Sequence, residues 1–182
     1  MKILRILLIL TAFVSLADRV QARAGDTPIE TFFGDYVGHT ISVVGGEMKK
    51  RDLSVSIKPN DTAFTIDWTA ITQKASGKIK RKHYSIDFRP TKRKNIFSSA
   101  MQTNMFGHRQ ALDPLKGDPY VWARIIGATL TVYALLISDG GGYEMQVYDR
   151  TLTDGGLHLR FSRVRNGEVL RLIEGTVIKS SE

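Results

Sequence analysis

From residue 35 onward, apolar and polar side chains alternate with period two. Leu53, Val55 and Ile57 interleave with Ser54, Ser56 and Lys58, and Phe64, Ile66 and Trp68 with Thr65, Asp67 and Thr69. Such alternation gives each strand one dry and one wet face. Tyr84, Ile86 and Phe88 carry the dry face onto the next run, and Asn60-Asp61 and Ala75-Ser76-Gly77 mark turns between runs. The pattern predicts ten strands, near 35–45, 51–58, 62–73, 79–89, 95–102, 120–127, 129–137, 143–152, 157–164 and 168–178. Hairpin-length spacings make the sheet antiparallel.

Helix is confined to Thr27–Phe33, where Thr27 suits a cap, Pro28 the first turn, Glu30 the capping-box position and Gly34 the stop. A long amphipathic meander either closes into an up-and-down barrel or packs as a sandwich, and short hairpins favour the barrel. The expected fold class is therefore all-β: an antiparallel up-and-down meander of about 8–10 strands closed into a barrel, with a short N-terminal helical turn. Strand 129–137 sets Leu130, Val132, Ala134 and Leu136 against Tyr133, Leu135 and Ile137. Both its faces want cover, from the N-terminal turn or from a second copy in a homodimer.

One connection is far longer than the rest. The stretch Met105–Arg124, MFGHRQALDPLKGDPYVWAR, contains Asp113-Pro114 and Asp118-Pro119, which hold the residues before them extended, with Gly107 and Gly117 as hinge points. It reads either as a lid turning Met105, Phe106 and Leu112 inward or as an ordered brace.

The chain opens with Lys2 and Arg5, the apolar run Ile6–Ala17 and the small-residue site Ala22-Arg23-Ala24. This is the layout of a secretory signal peptide cleaved after Ala24, with Ser15-Leu16-Ala17 as a second site. A retained anchor is the other reading, but the run is short of the roughly 20 residues a spanning helix needs. The expectation is one exported domain, 25–182, in a bacterial periplasm or outside the cell. Cysteine is absent, which excludes disulfides, thiolate chemistry and lipid attachment to cysteine. Removing the signal's Lys2, Arg5, Arg19, Arg23 and Asp18 brings the formal charge from +8 to +5. That favours an anionic ligand or envelope surface, or merely supports solubility; nucleic acid is not expected as a partner.

Phe32-Phe33-Gly34-Asp35-Tyr36, after a helical turn and before a single meander, resembles the start of the lipocalins and the wider calycin group, as well as small bacterial exported proteins. In lipocalins a helical segment plugs one barrel end, Gly-x-Trp opens the first strand, and a late basic residue packs over the tryptophan. By that resemblance Gly34-Asp35-Tyr36 stands at the motif, with Tyr36 replacing the tryptophan and Arg160 or Arg163 as the basic partner. The resemblance implies a small apolar or amphipathic ligand inside the barrel.

Strand alternation gathers Lys49, Lys50, Arg51, Lys74, Lys78, Lys80, Arg81, Lys82, His108, Arg109, Lys116, Arg163 and Arg165 at the end opposite the plug. The candidate ligand-binding residues are Trp68, Tyr84, Trp122, Met145 and Phe106 as apolar contacts, with Arg81, Lys82, His108 and Arg109 at a basic mouth. The aromatic residues would equally serve as core. His39, His83, His108 and His158 lack metal-ligand spacing, there is no Gly-x-Ser-x-Gly elbow, and Asp139-Gly140-Gly141-Gly142 precedes no helix. No metal, cofactor or catalytic residue is expected, and catalysis is left open for Asp67 and Asp87 only if they are buried. Two functions fit: an exported binding protein holding a small apolar or amphipathic ligand, expected to be anionic, in the barrel, or an envelope interaction protein with a filled barrel that contacts a partner protein or an anionic surface through its basic loop end.

Overall fold

A computed structural model describes residues 25–44, 47–73, 76–104 and 106–180, the side chains of 41–49 and of Arg109 excepted. The proposed signal segment, 1–24, Met105 and Lys74 lie outside the described residues. Ten strands close into one antiparallel barrel: β1 (Gly34–Val44), β2 (Glu47–Pro59), β3 (Phe64–Gln73), β4 (Ile79–Pro90), β5 (Ile96–Ser99), β8 (Tyr120–Ile126), β9 (Thr129–Ile137), β10 (Tyr143–Thr153), β11 (Gly156–Arg165) and β12 (Glu168–Lys179). Each pairs with its neighbours along this series, and β12 returns to β1. Between β5 and β8, β6 (Gln102–Thr103) and β7 (Arg109–Gln110) form a separate small hairpin. Among the described residues the helical elements are two 3-10 turns, Ile29–Phe32 and Pro114–Lys116.

The barrel closes because its strands carry apolar residues every second position and its hairpins are tight. Asn166 and Gly167, both with positive φ (48° and 86°), make the β11–β12 turn, a backbone that asparagine and glycine tolerate. Close strand approach at the β1–β12 seam needs glycine: a Cβ on Gly175 would stand 2.7 Å from the carbonyl oxygen of His39.

The half of the barrel nearest the N-terminal turn is filled. Phe64 stacks on Phe88 at 5.0 Å and meets Phe97 edge-on at 4.9 Å, with Phe32, Ile57, Ile66, Ile125, Leu130, Leu157 and Val177 completing the core. Phe32 is carried inward by the first 3-10 turn, so the segment does plug this end. The anticipated capping box does not form: no side chain caps the turn, and the Thr27 amide instead donates to the Gly127 carbonyl. Asp26 accepts from the Gly127 amide and the Asn95 side chain, tying the plug to two turns of the same end.

Tyr36 is buried beside the plug, and its hydroxyl donates to the Phe32 carbonyl at 2.8 Å. The basic group over its ring is Lys179 of the last strand, at 5.9 Å, not an arginine of β11. Arg160 is on the outer face with Asp149 and Glu174 (3.7 Å each), and Arg163 is held by Glu144 at the far end. The cross-strand register places Lys179 opposite Tyr36, which decides the partner.

Candidate functional site

Beyond the aromatic core the lumen opens into a cavity of about 260 Å³ in the other half of the barrel. Four rings line it: Trp68 and Tyr84 from β3 and β4, stacked at 5.0 Å, and Tyr148 and Phe161 from β10 and β11, 4.8 Å apart. Trp68 and Tyr148 also approach across the lumen, at 5.5 Å. Leu53, Val55, Leu159 and Ile173 add aliphatic wall.

The cavity is cationic. Arg51, Lys82, Arg150, Arg163 and Arg171 line it, while Asp149, the carboxylate bordering it, is within 3.7 Å of Arg160. Among the described residues, Arg51, Lys82, Arg150 and Arg171 have no ion-pair partner. Arg150 is 3% exposed, and its guanidinium carbon stands 5.4 Å from the Trp68 ring centroid. It makes one long hydrogen bond, to the Tyr148 carbonyl at 3.4 Å, and its Nε is buried without an acceptor. Burial pulls its pKa down to about 10, so it remains charged at neutral pH. Nearer the mouth, Arg51 is pushed downward by burial and by its neighbour Arg171, and its Nε too lacks an acceptor.

A polar ladder climbs the inner face of β10. The Tyr148 hydroxyl donates to Gln146, the Gln146 amide donates to Glu144, and Glu144 accepts from Arg163 at 2.6 Å and from Arg165 at 2.9 Å. The Arg163 hydrogen bond is the main reason that Glu144 is lowered to about 2, with Gln146 and Arg165 adding to it against the cost of burial. Burial raises Tyr148 to about 12, so its hydroxyl keeps its proton. The ladder fixes Arg163 and Arg165 at the rim and does not include Arg150 at the floor.

The barrel wall has a gap beside this cavity. β5 pairs with β4 only at Phe88–Pro90, and β4 from Ile79 to Ser85 is exposed throughout. The inward Tyr84 is consequently 42% exposed, and Lys82 stands at the opening.

Of the candidate residues, the structure brings together Trp68, Tyr84 and Lys82. Trp122 and Met145 face outward: Val121 and Ala123 flank Trp122 and are buried, and Glu144 and Gln146 flank Met145 and belong to the inner ladder. Both faces of β8 and β10 carry large side chains, so period alone leaves the inward face undecided. Arg81 alternates with Lys82 and is exposed, as is His108. The Arg109 side chain lies outside the described residues. Phe106 is 77% exposed, and no described residue of 100–119 lines the cavity. In this structure the described part of the connection does not cover the cavity, and its 3-10 turn, Pro114–Lys116, packs near β9.

Sequence reasoning missed Arg150, Tyr148, Gln146 and Glu144. A usable signal existed in the tight Asp154-Gly155 turn, which pairs Leu152 with Leu157 and hence Arg150 with inward Leu159. Asp67 and Asp87 serve the outer face: Asp87 accepts from Thr65 at 2.7 Å, and Asp67 lies 3.9 Å from His83. Among the described residues no group of three or more His, Asp or Glu side chains is placed to hold a metal ion.

The closed antiparallel ten-stranded barrel is consistent with a lipocalin-like fold. No family model matches the chain, and neither a curated protein nor a solved structure is significantly similar to it.

Proposed function

We propose that this is an exported binding protein that takes a small amphipathic anion into the open half of its barrel. The observation that carries the reading is Arg150, a buried cation at the floor of an open aromatic cavity that makes no direct ion pair among the described residues, the neighbouring Asp149 acting on it only at longer range. An isolated buried charge costs several kcal/mol, and buried charges are ordinarily paired, so an entering anion would supply the partner that Arg150 lacks among the described residues. The rings supply the apolar contact, and the exposed lysines and arginines of β4 would draw an anion to the gap. The signal-like N-terminus supports delivery to the periplasm or beyond.

The test is a titration with anilinonaphthalene sulfonate in a Trp122→Phe background, where Trp68 is the sole tryptophan reporter. Dye emission should rise and Trp68 emission should be quenched, and both effects should disappear in Arg150→Gln. Equal binding by the Arg150→Gln variant would overturn the reading.

The outer face of β8 and β9 favours a second reading. Trp122 stacks on Tyr133 at 4.8 Å with Tyr120 alongside, which suits an interaction protein of the envelope or a homodimer through strand 129–137. Sedimentation at high concentration would read self-association directly.

A further inference from the structure

Among the described residues the lumen holds two cationic centres without a direct ion pair, Arg150 and the Arg51–Arg171 pair, and their places in the barrel are set by the register. Arg51 of β2 pairs with Thr40, Thr40 with Gly175, Gly175 with Leu159, and Leu159 with Arg150 of β10. Four strand steps in a ten-stranded barrel bring the ends of that row to nearly opposite walls. Barrel strands tilt, so such a row also climbs along the axis, which accords with Arg150 at the floor and the half-buried Arg51 nearer the mouth. Arg171 joins Arg51, and their mutual repulsion adds to the demand for negative charge there.

Size and wall chemistry narrow the occupant further. A dry cavity of roughly 150 Å³ accepts one benzene, so about 260 Å³ suits two fused rings. The rings form one contiguous aromatic surface, Tyr84 on Trp68, Trp68 against Tyr148 at 5.5 Å and Tyr148 against Phe161, and a flat aromatic ligand meets such a surface offset or edge-on with a gain beyond area alone.

We infer that the ligand is a compact two-ring aromatic molecule bearing two anionic groups, one received by Arg150 at the floor and the other by Arg51 and Arg171 near the mouth. This rests on the anion-binding reading above and adds to it ring character and a second charge. One carboxylate or sulfonate would leave a cationic centre unmet; two satisfy both. Entry is through the gap beside β4, past Lys82 and Tyr84.

The test is calorimetry of the whole folded domain with three probes: a naphthalene disulfonate, a naphthalene monosulfonate and dodecanoate. The disulfonate should bind at least about tenfold more tightly than the monosulfonate, the increment expected of one further charge-assisted contact. Arg51→Gln should remove that advantage while leaving monosulfonate affinity within about twofold, and Arg150→Gln should weaken both naphthalenes by roughly tenfold or more. Arg51 is near the mouth, so its variant stays informative even if Arg150→Gln alters folding. Dodecanoate binding as tightly as the disulfonate, or a monosulfonate equal to it, would overturn the two-ring dianion while leaving the anion-binding reading in place. Failure of all three to bind, or binding indifferent to both arginines, would overturn both.

Discussion

The guanidinium of Arg150 and the ring of Trp68 face one another across the lumen, 5.4 Å apart, from strands five steps apart around the barrel. Neither strand holds the other by hydrogen bonds. Their contact is made by side chains reaching from opposite walls, and it marks the boundary between the packed half of the barrel and the open half.

That boundary implies a trade of stability for function at Arg150. Replacing it with methionine keeps much of the volume and removes an unpaired buried charge, so stability should be unchanged or rise by up to about 2 kcal/mol while anion binding is lost. Urea denaturation of Arg150→Met beside the dye titration checks both halves. A loss of about 3 kcal/mol would instead make Arg150 a structural brace.

The facing of the aromatic residues can be tested by truncation. Phe64→Ala removes a ring held between Phe88 and Phe97 and should cost about 3–5 kcal/mol. Trp122→Ala acts on the outward face and should cost only about 1 kcal/mol, despite the larger side chain. Comparable losses from the two variants would contradict the assignment of the faces.

Glu144 gives the fold a pH dependence of definite sign. Its carboxyl is held down to about 2 by Arg163, Gln146 and Arg165, so the folded state favours the ionised form. The stability this supplies is complete above the ordinary carboxylate range and is lost as pH falls through that range toward about 2. Glu144→Gln should be less stable by about 1–2 kcal/mol at neutral pH, and the gap from the parent should close on acidification. Denaturation midpoints of both proteins between neutral pH and pH 2 measure it, and a gap independent of pH would place the contribution elsewhere.

Period-two alternation and turn residues were sufficient to mark ten strands, their antiparallel pairing and the closed meander, because both signals are local and act within one hairpin. The helical turn was legible from Pro28 and the stop at Gly34, whereas its place as a plug was implied only by the resemblance to lipocalins. The order of strands also determined which connections share an end, and so where basic side chains collect.

The inward face of each strand was a different matter. Where one face is plainly polar, as on β3, Trp68 could be placed inside from sequence. On β8 and β10 both faces mix apolar and polar groups, and a one-residue change of register exchanges the two sets. Trp122 and Met145 were therefore read inward, although Val121, Ala123 and the Glu144–Arg150 series are the residues that face in. The basic partner of Tyr36 was settled by the β1–β12 seam, a pairing between the two ends of the chain that no local pattern encodes. The cavity itself exists because side chains from β3 and β10, some 80 residues apart, meet over a core that fills only one half of the barrel. Strand periodicity reports one side chain against its neighbours; which walls oppose, and whether space remains between them, is decided only when the sheet closes.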